Sequence, residues 1–269
     1  MIEPELAAVF VGSTIRLAAP LLLAATGELV SERAGVLNMS VEGMMLTGAF
    51  AGAVGSWATG SPVMGLALGV LCVLPVAWLQ AFLSITLRAN QIVTGIGINI
   101  LVLGATTLGY RALFGSRSRA EIPGLDKWAP PGLADLPVVG EHVFHQTWLL
   151  YAALVLIVVV AWVMRSTSLG LAVHAAGTAP QAAANSGLAV NRIRYGAVLF
   201  TGFMSALAGC FLSIGDIHTF TEGMTSGAGY PWRATGDWAG CCWPACCSAP
   251  PPPCSSSCPP WACTFPMRC

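Results

Sequence analysis

Lys, Arg, Asp and Glu are all missing from four stretches of this sequence: Gly43 to Leu87, Ala89 to Tyr110, Val143 to Met164 and Tyr195 to Gly215. A helix needs roughly 20 mostly apolar residues to cross a hydrocarbon layer about 30 Å thick. An unpaired charge at its centre costs at least about 2.5 kcal/mol. The four stretches therefore read as membrane-spanning, and the fold class as all-α, a polytopic membrane helix bundle. Charged residues make up 9% of the chain and hydrophobic residues 55%, with a mean hydropathy of +0.72. A soluble domain carries about 25% charged residues, so lipid is the expected solvent. The net charge is zero and there is no long basic run, which argues against a nucleic-acid partner.

About six hydrophobic segments follow from the pattern: Leu6 to Ala25, Met44 to Trp57, Pro62 to Leu87, Ile92 to Leu113, Trp148 to Met164 and Tyr195 to Ile214. Arg16 and Pro20 interrupt the first. Glu3 and Glu5 precede it where a cleaved signal peptide would have a basic region, so a retained helix is expected. Met44 to Trp57 is short for a full crossing and allows a broken or re-entrant element. Gly48 and Gly52, and Gly65 and Gly69, form small-xxx-small pairs that let helix backbones approach closely, which favours packing within one subunit over dimerisation.

After Tyr230 the composition changes abruptly. Residues 231–269 contain no Leu, Ile or Val; they hold Cys241, Cys242, Cys246, Cys247, Cys254, Cys258, Cys263 and Cys269, and a proline run from Pro250 to Pro253. Thiolates at Cys242 and Cys246, or at Cys254 and Cys258, have a spacing that binds zinc. No His follows His218, however, and nothing selects one disulfide pairing. A reading-frame shift near Gly229, which turns a GC-rich gene into Pro, Cys, Ser, Ala and Trp codons, is the preferred account, with a natural disordered tail as the alternative. The domain division is then 1–230, an incomplete membrane domain, and 231–269, an aberrant Pro/Cys-rich tail. No metal site or cofactor is expected.

Two loops are long. Arg111 to Gln146 contains Pro123, Pro130, Pro131 and Pro137 and is expected outside the membrane; Arg165 to Arg194 is the other. Counting Lys and Arg does not orient them. In the second, Thr178-Ala179-Pro180-Gln181 reads as a helix start, with Thr178 as cap, Pro180 in the first turn and Gln181 completing a capping box. Gly187 supplies the stop. The resulting short helix is either an ordinary interfacial helix or a docking element.

Gln91, Gly95 and Asn99 fall at i, i+4 and i+8 on one face of an apolar helix. Such a stripe either hydrogen-bonds to neighbouring helices or lines a polar solute's path. Asn38, Ser40 and Glu42 precede the first uncharged run, with Glu42 either marking the membrane boundary or standing at a pathway mouth. Asn38-Met39-Ser40 is formally a glycosylation sequon, but its closeness to the membrane argues against use. Asp216, His218, Thr219, Thr221 and Glu222 cluster after the last segment without a second His or a nucleophile motif, so an active site is not expected. There is no phosphate-binding G-x-x-x-x-G-K-[ST] loop, and energy from ATP would have to come from a partner chain.

The run Gly27-Glu28-Leu29-Val30-Ser31-Glu32-Arg33-Ala34-Gly35-Val36-Leu37-Asn38-Met39-Ser40-Val41-Glu42-Gly43-Met44-Met45 resembles the signature of membrane permeases of ABC importers for nucleosides, in the wider simple-sugar and branched-chain amino-acid group. Ala89 to Gly95 resembles the family's central helix. Gly170 to Pro180, with Ala175 and Gly177, resembles its ATPase-contacting cytoplasmic loop, and Gly215 to Met224 a later family segment. The resemblance runs from about Leu6 to Tyr230 and is most specific in its first motif.

It implies a non-enzymatic transport subunit in a bacterial inner membrane. This subunit would pair with a second permease, receive solute from an extracellular or periplasmic binding protein and be driven by a cytoplasmic ABC ATPase. The short helix after Thr178 would be the coupling helix, with Gly170, Ala175, Gly177, Thr178 and Pro180 as coupling residues. Asn38, Glu42, Gln91 and Asn99 are the candidate pathway residues, because hydroxyl-rich solutes need hydrogen-bond partners in a dry channel. The resemblance also implies further helices after the position of Tyr230, which the tail replaces. The competing classes are a non-functional truncated product, a self-contained channel or ion-coupled transporter, and an intramembrane enzyme. Resequencing the codons for Gly229 to Arg233 should reveal a gained or lost base, with the other frame encoding Leu-, Val- and Ala-rich helices; an unaltered frame would make the tail genuine.

Overall fold

In the computed structural model the described residues are 4–114, 123–124, 127–128, 146–221 and 224–225. The Pro/Cys-rich tail, Glu222 and most of the loop after Phe114 lie outside them. The helices are α1 (Pro4–Arg33), α2 (Val41–Thr59), α3 (Pro62–Ala81), α4 (Gln91–Phe114), α5 (Trp148–Ser166), α6 (Ser168–Thr178), α7 (Pro180–Asn185) and α8 (Val190–Cys210). Single π-helical turns, Phe82–Thr86 and Phe211–Ile217, prolong α3 and α8. Two-residue strands β1 (Lys127–Trp128) and β2 (Gln146–Thr147) pair antiparallel, Lys127 opposite Thr147.

Among the described residues five helices are long and apolar enough to cross a membrane: Phe10–Arg33, Pro62–Thr86, Gln91–Phe114, Trp148–Ser166 and Val190–Ile217. Their outer faces carry exposed large apolar side chains, among them Ile100, Leu101 and Leu108 on α4 and Val155, Val158 and Trp162 on α5. On helices of this length and apolarity, a surface of that kind is the one a membrane helix turns to lipid. The sixth expected segment is α2, a continuous, unbroken helix of 19 residues. At 1.5 Å per residue it is about 28 Å long. Its Gly, Ala and Ser content makes it less apolar than its neighbours because it faces them rather than lipid; Gly43, Met44, Gly48, Ala49, Gly52 and Ala53 are all buried.

Two sequence boundaries move. The polar run from Gly27 to Arg33 is the end of α1, which passes without a break through Pro20. The stretch Arg165 to Arg194, read as a loop, is largely helical as α6 and α7. At the end of α1, Ser31 and Glu28 turn inward to the segment that follows, while Glu32 and Arg33 are exposed.

The small-xxx-small pairs meet each other. A Cβ on Gly65 would stand 2.7 Å from the Gly52 carbonyl oxygen, and one on Gly69 would stand 3.0 Å from the Gly48 carbonyl oxygen and overlap Cys210 Sγ. Cys210 Sγ donates to the Gly48 carbonyl at 3.3 Å. On the α8 side, a Cβ on Gly48 would lie 2.8 Å from the Ala206 oxygen, and one on Gly209 would overlap the Met45 oxygen. Thus α2, α3 and α8 touch backbone to backbone within one chain.

Helices α1 and α8 run antiparallel. Arg16 Nε pairs with Asp216 Oδ1 at 2.9 Å at one end, and Arg194 Nε donates to the Ala34 carbonyl at 3.1 Å at the other. The intramembrane Arg16 thus has a carboxylate partner, as a charge at this depth requires. Thr147 Oγ1 donates to the Gly215 carbonyl at 2.9 Å, placing the start of α5 at the ion-pair end. Replacing Gly69 with Val should destabilise the detergent-solubilised protein by about 1–3 kcal/mol through overpacking. Gly104→Ala should be neutral or slightly stabilising, since nothing lies within 4 Å of its Cβ; thermal unfolding of both variants checks the contrast.

Candidate functional site

Between α1 and α2 the chain leaves the helix from Ala34 to Ser40, with Ala34, Val36, Asn38 and Ser40 buried and Gly35 and Met39 exposed. Gly35 makes the turn with φ +79°, a left-handed conformation that favours glycine. Buried backbone outside a helix must still find hydrogen-bond partners. Side chains supply them. Leu37 N–H donates to Gln91 Oε1 (2.8 Å), Asn38 N–H to Glu28 Oε1 (2.9 Å) and Gly43 N–H to Asn99 Oδ1 (2.8 Å). Asn99 Nδ2 donates to the Met39 carbonyl (2.9 Å), and Ser31 Oγ to the Val36 carbonyl (2.8 Å). Asn38 Oδ1 accepts from Ser40 N–H and Ser40 Oγ, at 3.2 and 2.7 Å.

The polar stripe on α4 is therefore a clamp. Gln91 and Asn99 grip the link, and Gly95 between them lets it come close, since a Cβ there would stand 2.6 Å from Met39 Cβ. Of the alternatives left open by the sequence, these contacts realise packing between segments. Asn38, Gln91 and Asn99 are brought together by this link; Glu42, exposed in the first turn of α2, is not hydrogen-bonded into it by any of these contacts.

The other group of candidates lies on α6 and α7. Thr178 does not cap α7. Because the residues before it are helical, its hydroxyl donates back to the His174 carbonyl at 2.9 Å, and Ala179 takes the cap position without a side-chain bond. Pro180 stands in the first turn as expected, and Gly187, φ +85°, follows the last turn. Gly170 is buried against the Met164 backbone, where a Cβ would overlap the carbonyl. Gly177 touches the end of α1: its Cβ would overlap the Arg33 oxygen, and a Cβ on Gly35 would lie 3.1 Å from Gly177 Cα. Ala175 is half-buried, while Thr178, Pro180, Gln181, Ala182, Ala184 and Asn185 are exposed. Gly170 and Gly177 are thus packing positions, and the outward surface belongs to Thr178 and α7.

The group Asp216, His218, Thr219 and Thr221 folds back on the bundle. His218 Nδ1 is 2.9 Å from the Ile214 carbonyl, and Phe220, 1% exposed, packs edge-on to Phe50 with centroids 5.3 Å apart. Among the described residues no group of three or more His, Cys, Asp or Glu is placed to hold a metal ion.

The sequence model of the family described as "Branched-chain amino acid transport system / permease component" matches residues 10–236. The chain belongs to this family. The permease is 39% identical over 229 residues to a protein of Haloferax volcanii provisionally named a glucose ABC transporter permease, covering 83% of this chain and 68% of the relative. It is 32% identical over 240 residues to the guanosine ABC transporter permease of Bacillus subtilis, covering 84% and 73%. It is 28% identical over 232 residues to the nucleoside ABC transporter permease of Lactococcus lactis, covering 82% and 72%. No solved structure matches it. It is a multi-pass membrane protein and a transport component rather than an enzyme.

Several side chains of the permease escaped the sequence reading. Arg194 ties two segments together, its Nη2 donating to the Ala176 carbonyl at 3.2 Å while Nε holds Ala34. Thr167 caps α6, accepting from Gly170 N–H at 3.4 Å; Thr-x-x-Gly before an apolar run was its only signal. Gln80 on α3 is 0% exposed, with neither Nε2 nor Oε1 hydrogen-bonded, and Glu28 Oε2 and Ser205 Oγ are likewise buried without partners. A polar side chain inside a charge-free segment was the signal for Gln80.

Asn99→Leu removes a donor and an acceptor from the link and leaves the Gly43 N–H and Met39 carbonyl without them. The expected cost is about 2 kcal/mol or more. Membrane insertion should persist while limited proteolysis between Ala34 and Gly43 accelerates; an unchanged cleavage rate would remove Asn99 from the clamp.

Proposed function

We propose that this permease is the membrane subunit of an ATP-driven importer of nucleosides, working by alternating access in a bacterial plasma membrane. It would act with a cytoplasmic ABC ATPase, a second permease subunit and an extracellular or periplasmic solute-binding protein. Family membership supports the transport role, and the guanosine and nucleoside relatives support the solute class. The observation that carries the mechanism is the joint between α6 and the end of α1, where Gly177 lies on Gly35 and Arg194 holds Ala34 and Ala176.

In this reading α7 is the coupling helix and its end of the bundle faces the cytoplasm. A small exposed helix fits a groove on an ATPase, and its displacement passes through Gly177 to the buried link and on to α2. Nucleotide-driven movement shifts the equilibrium only where the two states make different contacts, and the Gly35–Gly177 joint is where such a difference would enter. Asn38, Gln91 and Asn99 then serve the pathway by holding the link that borders it, with Glu42 at its mouth. The unpartnered Gln80, Glu28 Oε2 and Ser205 are the groups left to receive solute hydroxyls.

The glucose relative favours a second reading of the solute, a free sugar. The composition after Tyr230 favours a second reading of the product, a permease descendant that assembles without transporting.

The test is uptake of radiolabelled guanosine by vesicles containing the full chain, its second permease, the ATPase and the binding protein. Ala182→Trp on α7 should lower uptake at least tenfold and weaken co-purification of the ATPase; unchanged uptake removes α7 from coupling. Gln80→Leu should lower uptake without loss of thermal stability, because replacing an unsatisfied buried amide by an apolar group is neutral or stabilising. Competition by unlabelled glucose rather than by adenosine would favour the sugar reading. ATPase co-purification without uptake of either solute would favour the non-transporting product.

A further inference from the structure

A cavity of about 340 Å³ opens where α3 ends and α4 and α8 begin, lined by Ser84, Arg88, Gln91, Asn191 and Arg194 among others. Its lining contains no Asp or Glu, and among the described residues neither arginine pairs with a carboxylate. Arg194 is held by the carbonyls of Ala34 and Ala176, which fix its guanidinium without neutralising its charge. Arg88 sits in a left-handed conformation, φ +51°, uncommon for a residue with a side chain. Its neighbours hold it there, Leu87 N–H on the Phe82 carbonyl and Ala89 N–H on the Leu83 carbonyl, both at 3.1 Å. Gln91 uses Oε1 on the link, and its amide N–H₂ has no hydrogen-bond partner among the described residues.

Two guanidinium groups, an amide N–H₂ and an Asn around one cavity form a donor set that fits the oxygens of a phosphate; the Ser84 hydroxyl, also in the lining, donates to the Gln80 carbonyl at 2.8 Å. Arginine matches phosphate in two-point geometry, and its charge strengthens each hydrogen bond. The depth agrees: the cavity lies at the ends of three membrane-length helices, Pro62–Thr86, Gln91–Phe114 and Val190–Ile217. Basic pockets between membrane helices at this level receive lipid head groups. We propose that this cavity binds a phosphate group, carried by an anionic lipid head group or by a soluble phosphate ester. Occupancy would neutralise Arg88 and Arg194 together and so tie the start of α8 to the end of α3, beside the link that Gln91 clamps. This inference stands apart from the solute proposal and does not require transport.

The experiment is native mass spectrometry of the full chain in detergent, titrated separately with phosphatidylglycerol, phosphatidylcholine and inorganic phosphate. Saturable binding of phosphatidylglycerol that exceeds phosphatidylcholine supports the lipid source; saturable binding of inorganic phosphate supports the soluble one. Arg88→Gln should weaken the bound probe at least tenfold, whereas Arg165→Gln, an exposed arginine at the end of α5, should leave it unchanged. Arg194→Gln also cuts the Ala34 and Ala176 bonds, so Arg88→Gln is the deciding variant. Equal binding by Arg88→Gln and the parent protein, or no saturable binding of phosphatidylglycerol or inorganic phosphate, would overturn the proposal.

Discussion

A stretch of backbone that leaves its helix inside a membrane protein must be satisfied from within, and the link from Ala34 to Ser40 sets that requirement here. Each buried N–H or C=O left without a partner would cost about 1–3 kcal/mol. Glu28 and Ser31 from α1, Asn38 from the link itself, and Gln91 and Asn99 from α4 answer it. The dense polar signature between Gly27 and Gly43 thereby acquires a physical meaning. It is the set of side chains that lets the chain reverse direction between two helices, and two amides of α4 complete that set.

The second constraint is contact between backbones. Helices α2, α3 and α8 approach so closely that Cβ atoms at Gly48, Gly65, Gly69 and Gly209 would meet carbonyl oxygens. Without a hydrophobic drive between helices in lipid, such contact is where dispersion and weak polar contacts bind them. Larger apolar side chains point outward to lipid or into the clusters around Leu23, Met204 and Ala208. Arg16 and Asp216 close the opposite end, so the charge in α1 is absorbed by the turn that follows α8.

Charge-free blocks located the crossing helices and the glycine pairs foretold their packing, because both signals depend only on the local solvent. The roles of the polar residues depended on partners 54 to 60 positions away, as for Leu37 with Gln91 and Met39 with Asn99, and spacing along one helix does not reveal them. The same limit explains Arg16, whose partner lies in another segment. Thr178 was misread for a different reason: its capping pattern was genuine, but the helix already running from Ser168 gave its hydroxyl a carbonyl one turn back. The length of α2 was hidden because hydropathy measures affinity for lipid, and a helix wrapped by others has little of it.

Rigid contact has a mechanical corollary. Helices that meet backbone to backbone at glycines leave little room for sliding, and packed interfaces tend to switch between discrete arrangements rather than deform continuously. The trio α2, α3 and α8 is accordingly locked at many points by backbone contact. The seam against α4 is of another kind, fastened by a few amide-to-backbone bonds around a glycine gap, and bonds of that sort re-form after a shift of register. Of the two boundaries, the one against α4 is therefore the looser, held at a few points rather than along its length.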